Sequence, residues 1–170
     1  MKKRIALVST GGTIEKTYNE LSGLLDNEIA VLDVMLSQLE LSALTTERIR
    51  LMNKDSLDMT PEDHMLIASS ALKLAEEYDG VVVVHGTDRL ATTGEKMLDL
   101  KTAPDSPIVL TGAMRPFELK TTDALQNLTE SFLAVQLLKP GVYVAMHNRV
   151  LEFPGVVKDK NLGTFVKSSS

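Results

Sequence analysis

Hydroxyl-bearing residues and glycines gather in four short segments that each follow an apolar stretch. These segments are Thr10-Gly11-Gly12-Thr13, Asp55-Ser56, His85-Gly86-Thr87-Asp88 and Thr111-Gly112-Ala113-Met114-Arg115-Pro116. Because ligands of open parallel sheets bind outside the carboxyl ends of the strands, we expect the four segments to converge on one crevice. Threonine hydroxyls, carboxylates and backbone N–H groups in such a crevice could cradle an anion or carry out acyl transfer.

Threonine-based acyl transfer is the chemistry that these residue types favour. The chain has no cysteine, which excludes a thiolate nucleophile, a disulfide framework and cysteine-ligated metal sites. A hydroxyl is a weak nucleophile at neutral pH and needs a neighbour that accepts its proton. A threonine–lysine–aspartate arrangement would provide that neighbour if desolvation keeps the lysine neutral part of the time.

Each segment also has a simpler structural interpretation. The first could be a tight turn with capping hydroxyls, and it lacks both the Walker A pattern and the third glycine of a dinucleotide fingerprint. Thr87-Asp88 could cap the next helix, and His85 is interpreted as a buried imidazole with satisfied hydrogen bonds. Ser56 could be an ordinary loop hydroxyl, and Lys158, placed after the last predicted strand, a solvated charge.

Short apolar runs alternate with longer amphipathic runs, which predicts strands alternating with helices. The predicted strands are Ile5–Val8, Ile49–Met52, Val81–Val84, Ile108–Leu110, Val142–Met146 and Val150–Phe153. The predicted helices are Ile29–Leu39, a helix from Thr60 to about Tyr78 that Gly80 ends, a helix ending near Leu100, and Asp123–Leu138. The fold class is therefore α/β: a doubly wound, mainly parallel, flavodoxin-like sheet with helices on both faces.

Two local patterns support this reading of the elements. Four consecutive valines in Val81–Val84 indicate a strand buried on both faces, as in parallel sheets between helix layers. Thr60-Pro61-Glu62-Asp63 is typical of a helix start, with a capping threonine, an early proline and acids near the positive end of the helix dipole.

The composition limits the class of protein. The 170 residues correspond to one ordinary domain, and we expect residues 1–170 to form it with no second domain. Lys plus Arg number 18 against 23 Asp plus Glu, and this acidic balance argues against nucleic acid as a partner. The three histidines match no metal-ligand spacing. The apolar run after Met1-Lys2-Lys3-Arg4 is too short for a signal peptide. No apolar run reaches the ~20 residues of a membrane helix. We therefore expect a cytoplasmic protein without a membrane partner.

The order and spacing of the motifs add a resemblance. The segments 10–14, 85–88 and 111–116, together with Asp55-Ser56-Leu57-Asp58-Met59-Thr60, resemble the signature segments of the bacterial-type L-asparaginase family across essentially the whole chain. The resemblance is to the compact, single-domain members and to the N-terminal domain of full-length ones. It implies hydrolysis of L-asparagine to L-aspartate and ammonia through a threonine-linked acyl-enzyme, without a cofactor.

The same resemblance implies roles for individual residues. Thr13 would be the nucleophile, and Thr87, Asp88 and Lys158 would form a second catalytic group, with Lys160 as a competitor of Lys158. Tyr18 would polarise the Thr13 hydroxyl. The substrate would be held by Gly12, Ser56, Thr87, Asp88 and Ala113, with Ser56 on its α-carboxylate and Asp88 on its α-ammonium. Backbone N–H groups near Gly12 and Thr87 would stabilise the oxyanion.

Some features depart from the family pattern or extend it. Arg89 replaces a threonine and is expected to face a helix start with little consequence, whereas Leu57 replaces a glutamine and removes a polar contact to the substrate ammonium.

The polar segment Glu15–Asn27 is expected to be a mobile lid. A homo-oligomer, at least a dimer, is the expected assembly. Two other functions stay open: a phosphate- or nucleotide-binding module built on Gly11-Gly12, and a non-catalytic amino-acid sensor.

Overall fold

A computed structural model describes residues 1–27 and 31–168 of the chain. Its strands are β1 (Lys3–Ser9), β2 (Lys16–Asn19), β3 (Leu24–Asn27), β4 (Leu44–Arg50), β5 (Gly80–Val84), β6 (Pro107–Thr111), β7 (Gly141–Met146), β8 (Arg149–Glu152), β9 (Val156–Asp159) and β10 (Thr164–Lys167). Its helices are α1 (Val31–Ser37), α2 (Pro61–Glu77), α3 (Leu90–Leu100) and α4 (Ala124–Leu137).

Six strands form the central sheet in the order β4-β1-β5-β6-β7-β8. The first five are parallel, and β8 returns antiparallel to β7. When the five parallel strands are numbered in sequence order (β1, β4, β5, β6, β7), their order in the sheet is 2-1-3-4-5. This is the flavodoxin-like order. The predicted fold class is confirmed. The order reverses at β1, so the crevice beside the carboxyl ends of β1 and β5 is where a ligand is expected.

The sheet is buried on both faces because neighbouring residues of a strand point in opposite directions. On one face, Val81 and Val83 pack with α2 and α3, and on the other, Val82 and Val84 pack with α1 and α4. All four valines are fully buried, which confirms the prediction from their run of β-branched side chains.

Helix α2 begins as predicted. The Thr60 side chain accepts the Asp63 N–H, and the Asp63 carboxylate accepts the Thr60 N–H, with Pro61 at the first helical position. Such a cap stabilises a helix by about 1 kcal/mol. The predicted end at about Tyr78 is confirmed, because α2 ends at Glu77 with Tyr78 as its C-cap, but Gly80 is the first residue of β5.

One strand, one helix and two hairpins differ from the prediction in their bounds or their presence. The strand predicted at Ile49–Met52 is wrong in its bounds, because β4 ends at Arg50 and begins five residues before Ile49. The helix predicted at Ile29–Leu39 is α1, and the part of the prediction at residues 29–30 lies outside the described residues. Two antiparallel hairpins, β2–β3 and β9–β10, were not predicted.

No helix within the described ranges combines the length and the apolar character that crossing a membrane requires.

Candidate active site

The loops after β1, β4, β5 and β6 meet at glycines. A Cβ added to Gly12 would lie 2.6 Å from Gly86 Cα, and one added to Gly86 would lie 2.6 Å from Ser56 Oγ. A Cβ on Gly112 would collide with the His85 carbonyl oxygen. Because the obstacles at Gly12 and Gly112 are backbone atoms, only glycine permits these approaches. The predicted convergence of the four segments is therefore present.

Lys158 connects two of the candidate residues. Its Nζ lies 2.8 Å from Thr87 Oγ1 and 2.8 Å from Asp88 Oδ1. Thr87 is buried, the Lys158 side chain is 17% exposed and the Asp88 side chain is 37% exposed. Met114 Sδ lies 3.7 Å from the same Thr87 hydroxyl. An amine held against both a hydroxyl and a carboxylate can exchange a proton with the first while its charge is balanced by the second.

The position of Lys158 corrects the sequence analysis. It lies within β9 instead of after the last strand, and its partner across the hairpin is the buried Phe165. Cross-strand partners lie on the same face, so a buried aromatic ring lies beside the lysine stem. Lys160 follows the strand and is exposed. The solvated-charge interpretation is therefore wrong for Lys158 and fits Lys160.

The capping interpretation of Thr87 and Asp88 is also wrong. The residue that precedes α3 is Arg89, and no side chain caps this helix. The Arg89 guanidinium donates instead to the Met59 carbonyl oxygen at 3.0 Å. This arrangement confirms that Arg89 faces the helix start and leaves the side chains of Thr87 and Asp88 to Lys158.

Thr13 lies on a different kind of element. It is half-buried and begins a three-residue 3-10 turn, Thr13–Glu15, that Gly12 enters with a φ of 93°. The hydroxyl of Thr10 donates to the Val84 carbonyl oxygen at 2.9 Å, so Thr10 has the structural role expected of a turn hydroxyl. Gly12 and Gly86, which directly precede Thr13 and Thr87, are in close contact, so the two threonines follow neighbouring backbone positions.

Tyr18 is an exposed residue. It is on β2 of the hairpin that occupies the segment expected to be a lid, and its side chain is 58% exposed. Its backbone N–H donates to the Glu118 carboxylate. The hairpin places Tyr18 five residues after Thr13, and the mobility of the hairpin stays a prediction.

Ser56 is held at the floor of the crevice. It begins a 3-10 turn, is almost fully buried, and its Oγ accepts the Arg89 N–H at 3.3 Å. Asp55 anchors this turn by accepting the Leu57 N–H, and its carboxylate also pairs with Lys16 Nζ at 2.8 Å. The Lys16 hydrogen bond, aided by the Leu57 N–H, holds the pKa of Asp55 below its ordinary value. Lys16, which the sequence analysis missed, thus ties the base of the hairpin to the Ser56 turn.

Ala113 and His85, two further residues of the four segments considered above, are both buried. The methyl group of Ala113 is buried in the core, so only the Ala113 backbone could meet a substrate. His85 is fully buried, and its ring nitrogens are bonded to the Gly86 carbonyl oxygen and the Thr93 hydroxyl. Burial lowers the pKa of His85 to about 4. The interpretation of His85 as a satisfied buried imidazole is confirmed.

Glu15 was also missed, because a charged residue is expected at the surface. It is 3% exposed, and burial raises its pKa to about 7 against the opposing charges of Arg48 and Arg50 on β4. The carboxyl group lines a pocket of about 240 Å³ between the ends of β1 and β4. A group that changes charge near neutral pH therefore lies two residues after Thr13.

Comparison with solved structures shows the same fold. The thermostable L-asparaginase from Thermococcus kodakarensis superposes with a TM-score of 0.84 at 28% identity, over 96% of this chain and 51% of that one. A probable cytoplasmic L-asparaginase from Campylobacter jejuni gives a TM-score of 0.81 at 32% identity, over 98% of this chain and 52% of that one.

Curated relatives carry two kinds of name. An L-asparaginase from Thermococcus kodakarensis is 31% identical over 163 residues, 94% of this chain and 49% of its own length. A component of the glutamyl-tRNA(Gln) amidotransferase from Methanobrevibacter smithii is 31% identical over 86% of this chain and 34% of its own length. The chain spans about half the length, or less, of the curated relatives that it matches.

The family model described as "Asparaginase, N-terminal" matches residues 4–165, which include all four loops of the crevice. Since this match extends over nearly the whole chain, from β1 to β10, the protein belongs to the asparaginase family.

Proposed function

We propose that the chain hydrolyses the side-chain amide of L-asparagine to L-aspartate and ammonia through a threonine-linked acyl-enzyme. The observation that carries this proposal is the position of Lys158 Nζ, 2.8 Å from both Thr87 Oγ1 and Asp88 Oδ1, in a loop whose Gly86 contacts Gly12 of the Thr13 loop. The relatives named L-asparaginase support the substrate, although they are about twice as long.

The reaction divides into two steps on the same carbonyl carbon. In the first, Thr13 Oγ1 forms a bond to the amide carbon, its proton passes to the Thr87–Lys158 pair, and the C–N bond breaks as that proton is delivered to the nitrogen, which leaves as ammonia. In the second, water attacks the carbonyl carbon of the threonyl ester, the bond from that carbon to Thr13 Oγ1 breaks, and a proton from the water restores the Thr13 hydroxyl as aspartate is released. The Thr87–Lys158 pair provides the proton acceptor: Lys158 can receive the Thr87 proton only as a neutral amine, and Asp88 then pairs with the ammonium that results.

The substrate is a zwitterion, and both of its charges have a counterpart in the crevice. Asp88 uses Oδ1 for Lys158, and its second carboxylate oxygen can accept from the substrate ammonium. The Ser56 hydroxyl lies against Gly86 and can donate to the α-carboxylate. Backbone N–H groups of the Gly12 and Thr87 turns would meet the developing oxyanion. Leu57 is 57% exposed beside Ser56 and contributes no polar contact at this side.

The element that follows Gly11-Gly12 argues against the phosphate-binding alternative. It requires the Gly11-Gly12 turn to open an α-helix, whose N–H groups and dipole would hold an anion. The turn leads instead into a 3-10 turn of three residues and then into the β2–β3 hairpin. We therefore expect a titration with ATP or inorganic phosphate to show no binding.

The relatives named for an amidotransferase favour a second candidate, in which the chain releases ammonia only together with a partner protein. The two candidates differ in what the isolated chain does. An amidohydrolase releases ammonia from asparagine by itself, whereas one component of an amidotransferase is expected to be slow when alone.

Ammonia release by the purified chain tests the proposal directly. The assay uses asparagine and glutamine with the wild type and with Thr13→Ala, Thr87→Val and Lys158→Met. Turnover of asparagine that each substitution abolishes supports the proposal, and turnover that survives in Thr13→Ala contradicts the assigned nucleophile. Asparagine binding without ammonia release would favour a sensor. Near-equal specificity constants for the two amides would contradict the assignment of asparagine as the preferred substrate. The predicted dimer is tested by sedimentation of the same samples.

A further inference from the structure

Asp123 organises a hydrogen-bonded network behind the crevice. It precedes α4, is 4% exposed, and accepts hydrogen bonds from four donors. The donors are the N–H groups of Met114 (3.0 Å) and Arg115 (2.9 Å), Asn127 Nδ2 (2.9 Å) and His147 Nε2 (2.7 Å). Because the donors come from two loops and a helix, the carboxylate joins three parts of the fold.

The charge state of this carboxylate fixes the proton on His147. Burial alone would raise the pKa of Asp123, but hydrogen bonds from the Met114 N–H, His147 and the Arg115 N–H hold it below its ordinary value. A carboxylate only accepts, so His147 Nε2 carries the proton of their bond. The other ring nitrogen, Nδ1, lies 3.0 Å from Thr164 Oγ1 and in the neutral imidazole accepts from that hydroxyl.

One end of the network contacts Thr87, and the other end lies in the hairpin that carries Lys158. Met114, whose N–H is bound by the carboxylate, is in contact with the Thr87 hydroxyl through its sulfur. Thr164 begins β10, the strand that pairs with the Lys158 strand. The His147 ring therefore connects the loop that contacts Thr87 to the hairpin that carries Lys158.

The backbone presents the His147 ring in a defined direction. His147 and Asn148 have φ values of 53° and 60° and form the two-residue turn between β7 and β8. Two successive residues with positive φ are typical of the turn that suits a twisted hairpin. The His147 N–H also donates to Asn127 Oδ1 at 3.1 Å.

We propose that His147 is a positioning residue: its ring ties Asp123 to Thr164 and thereby maintains the contact between Lys158 Nζ and Thr87 Oγ1. The catalytic consequence rests on the proposed function, whereas the tie itself is a property of the fold. The order Asp–His–Thr resembles a nucleophilic triad, but Thr164 is buried, which favours a bracing role over a second nucleophile.

Three substitutions and one control separate positioning from folding. His147→Asn preserves the turn, because asparagine tolerates positive φ, but is too short to contact both partners. Thr164→Val removes the hydroxyl at nearly constant shape, and Thr164→Ser restores it. Asn148→Gly changes the exposed neighbour in the same turn and is the matched control.

The first readout is the split between kcat and KM. We expect His147→Asn and Thr164→Val to lower kcat on asparagine by about 10- to 100-fold, with KM changed by less than about twofold, because a small displacement of the amine affects the chemical step. Thr164→Ser and Asn148→Gly should stay near the wild type. Loss of kcat that only parallels a loss of folded protein in thermal unfolding would overturn the proposal.

The second readout does not need activity. In protein labelled with 13C-lysine, the ε-carbon signal of Lys158, assigned with Lys158→Met, reports on the contacts of its ammonium or amine group. We expect the signal to move in His147→Asn and Thr164→Val and to stay in place in Asn148→Gly. An unchanged signal in the first two variants overturns the proposal. If the wild type releases no ammonia, the proposed function fails, and the Lys158 signal still decides whether the brace exists.

Discussion

The two threonines of the candidate site lie in unlike surroundings. Thr87 is buried in the loop that follows β5 and is hydrogen-bonded to a lysine that is itself paired with a carboxylate. Thr13 is half-buried in a three-residue turn that leads into a hairpin where Tyr18 is 58% exposed. The fold holds the Thr87 half together by hydrogen bonds, and we propose that the Thr13 half depends on the hairpin for completion.

Two buried carboxyl groups near these threonines, Asp123 and Glu15, differ in the direction of their pKa shifts. Asp123 is surrounded by hydrogen-bond donors that keep its pKa low. Burial raises the pKa of Glu15 to about 7, because its positive neighbours only partly offset the loss of water. Asp123 therefore keeps its negative charge over the neutral range, whereas the Glu15 carboxyl group near Thr13 changes charge within it.

Removal of the Lys158 amine is the strongest test of the Thr87 half. Lys158→Met retains an apolar stem without the nitrogen, and we expect kcat on asparagine to fall about 100- to 10,000-fold, as for loss of a general acid–base group. Lys160→Met, at the exposed neighbour, is the control and should retain wild-type turnover. Equal losses in the two variants would show that the amine was assigned wrongly.

Glu15 makes the stability of the Thr13 half depend on pH. A carboxyl group whose pKa rises from 4.5 to about 7 on folding stabilises the folded state below pH 4.5, and this contribution is lost as the pH rises to 7. The loss is about 3 kcal/mol. In urea unfolding between pH 5 and 8, Glu15→Gln should remove this decline, whereas Glu20→Gln, at an exposed position, should leave it in place. Parallel curves for the wild type and Glu15→Gln would contradict the ionisation of Glu15 in this range.

The glycines distinguish the crevice from the hairpin tip. Gly12→Ala combines a φ of 93° with a collision against Gly86 backbone atoms, and we expect it to destabilise the fold by about 2 kcal/mol. Gly23→Ala has a φ of 70° but no atom within 4 Å of the new Cβ, so about 1 kcal/mol is expected. Urea unfolding compares the two variants, and a larger effect at Gly23 would refute the close approach of the loops.

Tyr18 gives the smallest expected effect. Tyr18→Phe should lower kcat about tenfold through loss of one hydrogen-bonding group near the reacting atoms. It should leave the unfolding midpoint unchanged, because the side chain is mostly exposed. Full turnover in Tyr18→Phe would remove Tyr18 from the mechanism and make the hairpin a cover only.

Sequence patterns predicted the central layers because these elements have strong signals. The valines of β5 and the capped start of α2 are examples, and both are present in the structure. Strand β4 was placed too late because, at the sheet edge, only Leu44 among its residues is buried. The β2–β3 and β9–β10 hairpins have four-residue strands without a regular alternation of apolar and polar residues.

The family resemblance pointed to Thr87, Asp88 and Lys158, which the structure brings together. It could not find Glu15 or His147, because their importance comes from neighbours distant in sequence. Glu15 is buried by contacts with β4, and His147 gains its partners from α4 and β10. Only the three-dimensional structure shows which titratable residues are buried or hydrogen-bonded to distant parts of the chain.

The glycine contacts restrict how this crevice can be redesigned. Enlarging the residue at Gly12 or Gly112 forces main-chain atoms apart, and no change of a nearby side chain can relieve that clash. Substrate preference is therefore more easily altered at the rim, where Leu57 is open to solvent and can be exchanged without disturbing the core. Directed libraries confined to such outward positions should yield altered amide selectivity while the supporting scaffold stays intact.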